Sequence, residues 1–447
     1  MNEINEINQI DKINQTTNVA ATTDVFTTFL SKVLLFFIGL GSSILIARIL
    51  GPSGKGTYTL LILIPSLVVS IGSLGVSEAT VYFLSKKKYT PQEVLGSNLF
   101  LSILLGSSYF IIGYILKRLD LLPWKDVPEG LLTLSLVILP VWIFRIYIDG
   151  IFRGTKRIKY YNFLLVFHPI LLFGFFTLFV WILKLGIPGA ILSFVLAMTI
   201  NAALGLHLAA NIEKTGISLS FEFLRKAAVF GVKGHLGNMA HKFNLRLDQL
   251  LIGYWLGATP LGFYSLAVSL SELIWYIPDS IGVVLLPKLA STSNTSSAKI
   301  TGKIFRNTIF ATTFLSLILL FFGKPLISTL YGERFLLSFT PMCLLLPGVI
   351  FMSFSKVLSK YFTGIGQPLV NSYASFLTLV FTVLFCFLLI PKYGINGAAL
   401  ASSLAYAIHA LWEIFYFLKI SGYRFDTLFI FKQSDFDNLA SLLKRIK

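Results

Sequence analysis

Charge is what this chain has least of. Asp, Glu, Lys and Arg together fill 13% of 447 positions, against about 25% in a soluble domain. That excludes a water-facing fold for most of the chain and points to an integral membrane protein. Cysteine is nearly missing. Cys343 and Cys386 each sit inside an apolar run, which fits two buried thiols and excludes a disulfide framework or a Cys/His zinc site. The apolar runs lack period-two alternation. Lipid cannot satisfy free backbone groups, so the spans are expected to be helices rather than barrel strands. The N-terminus has no cleavable signal pattern, because polar residues fill the place of an apolar region. The short loops carry no paired acid and base, and no nucleophile beside a base. No catalytic residue, metal or cofactor is expected, and the chain reads as a non-enzyme.

Hydrophobic residues make up 55% of the sequence. Twelve apolar runs lie near 28–49, 58–84, 93–116, 130–152, 161–183, 187–210, 229–255, 261–287, 304–323, 337–360, 368–391 and 394–418. Each is about 20 residues or longer, enough to cross a bilayer. The expected fold is all-α, with twelve transmembrane helices in two pseudo-symmetric six-helix lobes. The expected divisions are a polar cytoplasmic tail over 1–25, a first lobe over 26–212, a second lobe with its entry linker over 213–420, and a basic cytoplasmic tail over 421–447. Ile4, Ile7, Ile10 and Ile13 recur among polar residues in the first tail. With so little to bury, this tail is expected to be disordered.

The two-lobe expectation comes from an internal repeat. The turn Leu50-Gly51-Pro52-Ser53-Gly54-Lys55-Gly56-Thr57-Tyr58 returns 206 positions later as Leu256-Gly257-Ala258-Thr259-Pro260-Leu261-Gly262-Phe263-Tyr264. Leu185-Gly186-Ile187-Pro188-Gly189-Ala190 returns 208 positions later as Tyr393-Gly394-Ile395-Asn396-Gly397-Ala398. Phe152-Arg153-Gly154 returns as Phe362-Thr363-Gly364. An even number of spans per half sends both copies through the bilayer in the same sense, with a substrate path between them. The Gly51–Thr57 turn only mimics a phosphate-binding loop. That loop needs four residues between its first glycine and the Gly-Lys pair, and here only Pro52 and Ser53 intervene.

The net charge is +17. With no soluble domain or basic arm to hold nucleic acid, the expected partners are anionic membrane lipids and an anionic substrate. Lys86, Lys87 and Lys88 follow the second run, Arg153, Lys156, Arg157 and Lys159 the fourth, and Lys288, Lys299, Lys303 and Arg306 the eighth. Lys444, Arg445 and Lys447 end the chain. By the positive-inside rule both termini are cytoplasmic.

Ionisable groups inside a bilayer face a cavity or a partner. The seventh run is the least apolar, with Lys233, His235, His241, Lys242, Arg246 and Asp248. His241, Leu245 and Asp248 share a helical face, so His241 and Asp248 are expected to point the same way, with Asn244 beside them. Lys242 or Arg246 is a candidate anion clamp. Asp248 is either a cation- or proton-coupled switch or the partner of a basic neighbour. Arg145 and Asp149 are spaced four apart, which suits an internal salt bridge; the other reading makes Arg145, like His241, a substrate-binding candidate in the cavity. Arg48 lies near a helix end, where it can snorkel or touch cargo. Glu78 and Glu272 occupy equivalent spans of the two halves, and Asp279 follows Pro278 at an expected kink; all three are coupling candidates. His168 and His207 are read as structural.

Arg48-Ile49-Leu50-Gly51-Pro52 followed by Gly56-Thr57-Tyr58 resembles the polysaccharide transporter family. These are Wzx-type flippases for O-antigen and other surface-polysaccharide repeat units, within the MATE-like multidrug, oligosaccharidyl-lipid and polysaccharide exporter superfamily. Asp248 with Leu250-Leu251-Ile252-Gly253, Pro287 with Leu289, and the Gly-x-x-Gly-Ala starts at Gly186 and Gly394 match the same pattern. The resemblance implies translocation of an undecaprenyl-diphosphate-linked oligosaccharide across the bacterial cytoplasmic (inner) membrane. It also implies a lipid-linked oligosaccharide and membrane lipids as partners, alongside a polysaccharide polymerase and chain-length proteins. Ser42-Ser43 stands where the peptidoglycan-precursor flippases carry an Arg-Asp pair, and no apolar run follows residue 420. Both departures point away from that branch. A cation-coupled MATE-type exporter of small molecules and a membrane enzyme of polysaccharide assembly are the alternatives; the exporter would require an acidic rather than a basic cavity.

Overall fold

The computed structural model describes residues 2–119, 127–212 and 217–430, and side chains from Leu34 onward apart from Lys233 and several positions between 283 and 295. Asp120, Lys125 and Asp126, the linker residues Glu213 and Lys214, and the basic tail with Lys444, Arg445 and Lys447 lie outside the described residues. Among the described residues there is no strand. The helices are α1 (Asn2–Gly72), α2 (Val76–Ser85), α3 (Pro91–Arg118), α4 (Glu129–Val137), α5 (Leu139–Gly154), α6 (Ile158–Phe175) and, after a π-helical stretch at Phe176–Ile182, α7 (Gly186–Ala210). The second half contains α8 (Phe221–Asn244), α9 (Leu247–Trp255), α10 (Ala258–Glu272), α11 (Tyr276–Ala290), α12 (Asn294–Tyr331), α13 (Phe339–Gly364), α14 (Leu369–Ser421) and the short α15 (Phe425–Phe429).

Nine helical stretches among the described residues are long and apolar enough to cross a membrane, against twelve apolar runs in the sequence. The difference has physical causes. Leu34–Gly72 spans 39 residues and Leu369–Ser421 spans 53, where about 20 suffice for one crossing. Each is two helical pieces joined at a glycine in non-helical conformation, Gly51 (φ 67°, ψ −175°) and Gly394 (φ 58°, ψ −135°). The seventh run, divided between α8 and α9, is too polar to count. The N-terminal segment, expected to be disordered, is helical from Asn2. It continues the helix of the first span, so the costly nucleation step is already made.

The repeat is written in the backbone. Gly257 (φ 84°, ψ −173°) adopts the conformation of Gly51. The turn after α5, where the Arg157 amide donates to the Phe152 carbonyl at 2.8 Å, recurs after α13, where the Gln367 amide donates to Phe362 at 2.7 Å. The two copies of the first turn also pack on one another. A Cβ on Gly56 would lie 1.7 Å from the Ala258 carbonyl oxygen, and one on Gly262 would lie 1.9 Å from that of Pro52. Glycine is the side chain that permits this crossing of α1 and α10.

The main apolar core joins both halves. Leu60, Leu61, Tyr147 and Leu164 pack with Ile252, Leu261, Tyr264 and Ile390. A second core, around Leu285, Phe305, Phe362 and Phe417, belongs to the second half alone. Large apolar side chains such as Ile103, Ile112, Trp181, Phe321, Val380 and Phe387 face outward. That suits lipid, since all their backbone groups are satisfied within helices.

Candidate functional site: a cationic cavity in the second half

Helix α13 carries Ser355, Lys356, Ser359, Lys360 and Thr363 at helical spacing, so their polar groups gather on one face. The opposite positions Phe354, Val357, Leu358 and Phe362 are buried in the apolar core. The polar face lines a cavity of about 470 Å³. Helix α8 contributes Asn238 and His241, α11 contributes Asp279, and α14 contributes Asn371, Ser372, Ser375, His409 and Glu413. Every lining residue belongs to the second half, so this cavity lies within that half rather than between the two.

Two lysines dominate it. Lys356 Nζ donates to both carboxylate oxygens of Asp279 at 2.9 and 3.1 Å and sits 4.9 Å from the centre of the Trp275 ring. Lys360 lies one turn further along, its stem against Gly282, and no carboxylate pairs with it among the described residues. The His241 and His409 rings are 6.1 Å apart. Asn371 Nδ2 donates to the Ser359 carbonyl at 3.2 Å, while Asn244 Nδ2 holds the Ser375 carbonyl at 2.8 Å. The result is a hollow lined by hydroxyls, amides, two lysines and two carboxylates; Asp279 takes up Lys356 and Glu413 is buried, which leaves Lys360 to meet an anion with polar substituents.

Of the residues singled out in the sequence, His241 and Asp279 reach this cavity. The shared face proposed for His241 and Asp248 does not exist. Helix α8 ends at Asn244, Arg246 takes a non-helical φ of −137°, and α9 starts afresh at Leu247. The break turns Asp248 away, into the core of the second half. It accepts hydrogen bonds from Tyr264 Oη at 2.5 Å, Ser402 Oγ at 2.7 Å and the Gln249 amide at 2.7 Å, and among the described residues no basic side chain forms a salt bridge with it. Arg246, at the break, is bound by Glu272 through both nitrogens, at 2.7 and 3.2 Å.

The other candidates are dispersed. Arg145 is buried in the first half, bonded to Asp149 and Asn201. Arg48 donates from Nε to the Leu330 carbonyl at 2.8 Å and from Nη2 to that of Thr329. It therefore caps the C-terminus of α12 and ties the first half to the second, as the dipole there favours. Lys242 and Glu78 are both exposed, and each lies within electrostatic reach of the other. Glu272 and Asp279 border a second cavity of about 360 Å³, closed on its other side by Phe36, Leu40 and Ser43 of α1. His168 packs edge-on against Phe194, and His207 bonds Asn211 at 3.2 Å. Lys87, Lys88 and Lys156, from the two basic turns assigned to one membrane face, line a common pocket.

Lys356, Lys360, His409, Glu413 and Asn371 were not singled out in the sequence. The signal was there: Lys356 and Lys360 are four apart in an apolar run, as are His409 and Glu413.

The fold is that of MATE proteins and MurJ. It superposes on the structure titled "Lipid II flippase MurJ, inward closed conformation" with a TM-score of 0.74 at 18% identity, covering 94% of this chain and 96% of the other. An inward-facing multidrug resistance MATE family transporter of the MOP superfamily gives a TM-score of 0.70 at 15% identity, with 89% and 98% covered. By sequence the chain belongs to the polysaccharide biosynthesis protein family, which it matches over residues 45–340. It is 25% identical to the capsular polysaccharide biosynthesis protein CapF of Staphylococcus aureus, over 84% of this chain and 93% of that one. It is 20% identical to the probable low-salt glycan biosynthesis flippase Agl15 of Haloferax volcanii, over 52% and 50%. An uncharacterized membrane protein of Methanocaldococcus jannaschii, MJ1068, is matched at 24% identity over 47% of this chain and only 43% of its own length. The chain is a multi-pass membrane protein of polysaccharide biosynthesis.

Proposed function

We propose that this protein is a flippase that carries an undecaprenyl-diphosphate-linked oligosaccharide from the inner to the outer leaflet of the cytoplasmic membrane by alternating access. The observation that carries the reading is the α13 cavity, where Lys356, Lys360 and His241 stand among hydroxyls and amides inside the membrane. Lys356 and Lys360 lie in the last three turns of α13, which ends at Gly364; ionisable groups within a membrane span face a cavity or a partner, so two on one cavity face mark a functional wall. The diphosphate takes the place of water around Lys360 and competes with Asp279 for Lys356, the glycan meets the Ser and Asn side chains, and the lipid tail stays in the bilayer. The family match and the flippase names of Agl15 and MurJ support the same reading, as does the basic excess of the chain. The orientation follows from the basic turns, which put both termini in the cytoplasm. The driving force is an ion gradient or downstream consumption of the cargo.

A cation exporter would need carboxylates available to its cargo. Glu272 and Asp279 are instead engaged by Arg246 and Lys356 and Glu413 is 0% exposed beside His409, which favours the anionic cargo. The test is translocation of a fluorescent undecaprenyl-diphosphate oligosaccharide in proteoliposomes. Lys356→Ala with Lys360→Ala should reduce the rate at least ten-fold with the protein folded and inserted. An unchanged rate removes the cavity from the transport path.

A further inference from the structure

We propose that His409 and Glu413, one turn apart on α14, form a buried site for one exchangeable proton that is reached from the α13 cavity. Glu413 is 0% exposed, and neither carboxylate oxygen has a hydrogen-bond partner among the described residues. A buried carboxylate left in that condition is strongly disfavoured unless a proton or a cation joins it. The group facing it is His409, 3% exposed, with Nε2 at 3.6 Å from Glu413 Oε1.

The other side of His409 assigns the tautomer. Thr378 Oγ1 donates its one hydrogen to the Ala374 carbonyl at 2.7 Å. At 2.9 Å from His409 Nδ1 it therefore accepts, and Nδ1 carries hydrogen. A neutral His409 then turns the lone pair of Nε2 toward Glu413. With no proton between them, a lone pair faces a carboxylate. With two, a net positive charge is added to a site already facing His241 from α8 and Lys356 and Lys360 from α13, with Asp279 of α11 engaged on Lys356. One proton satisfies both, as Glu413 O–H donating to Nε2. Both residues border the cavity, and the His241 ring lies 6.1 Å from that of His409. A hydronium at the cavity wall can hand over its proton and remain as water; release reverses the step.

The site stands on this geometry alone. Its use as the coupling ion rests on the flippase reading, because a charge change beside Lys356 and Lys360 alters their hold on an anion, and by linkage the anion alters the hold on the proton. Infrared difference spectroscopy of the full-length protein across a pH step reads the site without any cargo. We expect a protonated-carboxyl band that appears on acidification in the wild type, is lost in Glu413→Gln and is displaced in Glu413→Asp. A band identical in all three overturns the site. So does a response to sodium at fixed pH in place of the response to pH, since that marks a metal-cation site. In proteoliposomes the wild-type rate should change several-fold with an imposed pH gradient, and the Glu413→Gln rate should not. A wild-type rate indifferent to the gradient overturns the coupling. Absence of any wild-type translocation, with the infrared response intact, overturns the flippase reading and leaves the proton site standing.

Discussion

Asp248 shows how a single intramembrane carboxylate is accommodated without a counter-charge. Tyr264, Ser402 and the Gln249 amide direct three hydrogens at it, which together replace the water it has lost. Asp248→Asn keeps an oxygen for the Gln249 amide but turns an NH2 to the Tyr264 and Ser402 hydroxyls, which must then accept, so charge-assisted bonds become neutral ones. Hydrogen bonds to a charged group contribute about 1.5–3 kcal/mol against about 0.5–1.5 for neutral ones, so the variant should unfold at a lower temperature in a detergent melt. Tyr264→Phe, which removes one donor and adds no new one, should cost less. A melt for Asp248→Asn equal to the wild type would mean the three donors are not what holds this residue. Much of this level was hidden in the sequence. That Arg145 could pair with Asp149 was legible, because both lie on one helix. That Glu272 would claim Arg246 was not, because 26 positions and a change of helix separate them. Periodicity reports neighbours within a helix and is silent on partners across helices.

Among the helices, the repeated turn was the most legible feature. Gly51 and Gly257 hold the same positive-φ conformation, as the matching residues led one to expect. The packing of one copy on the other was not legible, since a repeat says nothing about where its copies meet. The crossing of α1 and α10 now depends on Gly56 and Gly262. Gly56→Ala or Gly262→Ala pushes a methyl into a facing backbone carbonyl, which no side-chain rotation relieves. Overpacking of this kind costs about 1–3 kcal/mol or more. Gly39→Ala is the control, because its Cβ would meet nothing within 4 Å. The first two should lower the melting temperature and the third should leave it unchanged. The α8–α9 break is the opposite case. His241 to Asp248 reads as one continuous amphipathic stretch, and only the backbone at Leu245 and Arg246 separates the cavity-facing part from the buried part.

For the molecule as a whole, the flippase reading requires the two halves to move as bodies against each other, so contacts that join them set the resting population. The glycine crossing is one. Arg48 is another, reaching from the end of the first span to the last carbonyls of α12. Its side chain is exposed, which limits the two hydrogen bonds to a net contribution of about 0.5–1.5 kcal/mol. That is enough to shift a two-state equilibrium by roughly two- to ten-fold. Arg48→Ala should therefore favour the arrangement in which the halves part at this end, which the basic turns assign to the outer face. A cysteine placed at Ser43, whose hydroxyl is buried beside Tyr331, reports on the parting. Its labelling by a membrane-impermeant maleimide added outside should rise several-fold when Arg48→Ala is introduced. The background cysteines Cys343 and Cys386 are removed first. Labelling that stays the same would make Arg48 a cap for α12 and no more. Labelling that rises while transport falls would mean that the resting clasp, and not contact with cargo, is what this arginine supplies.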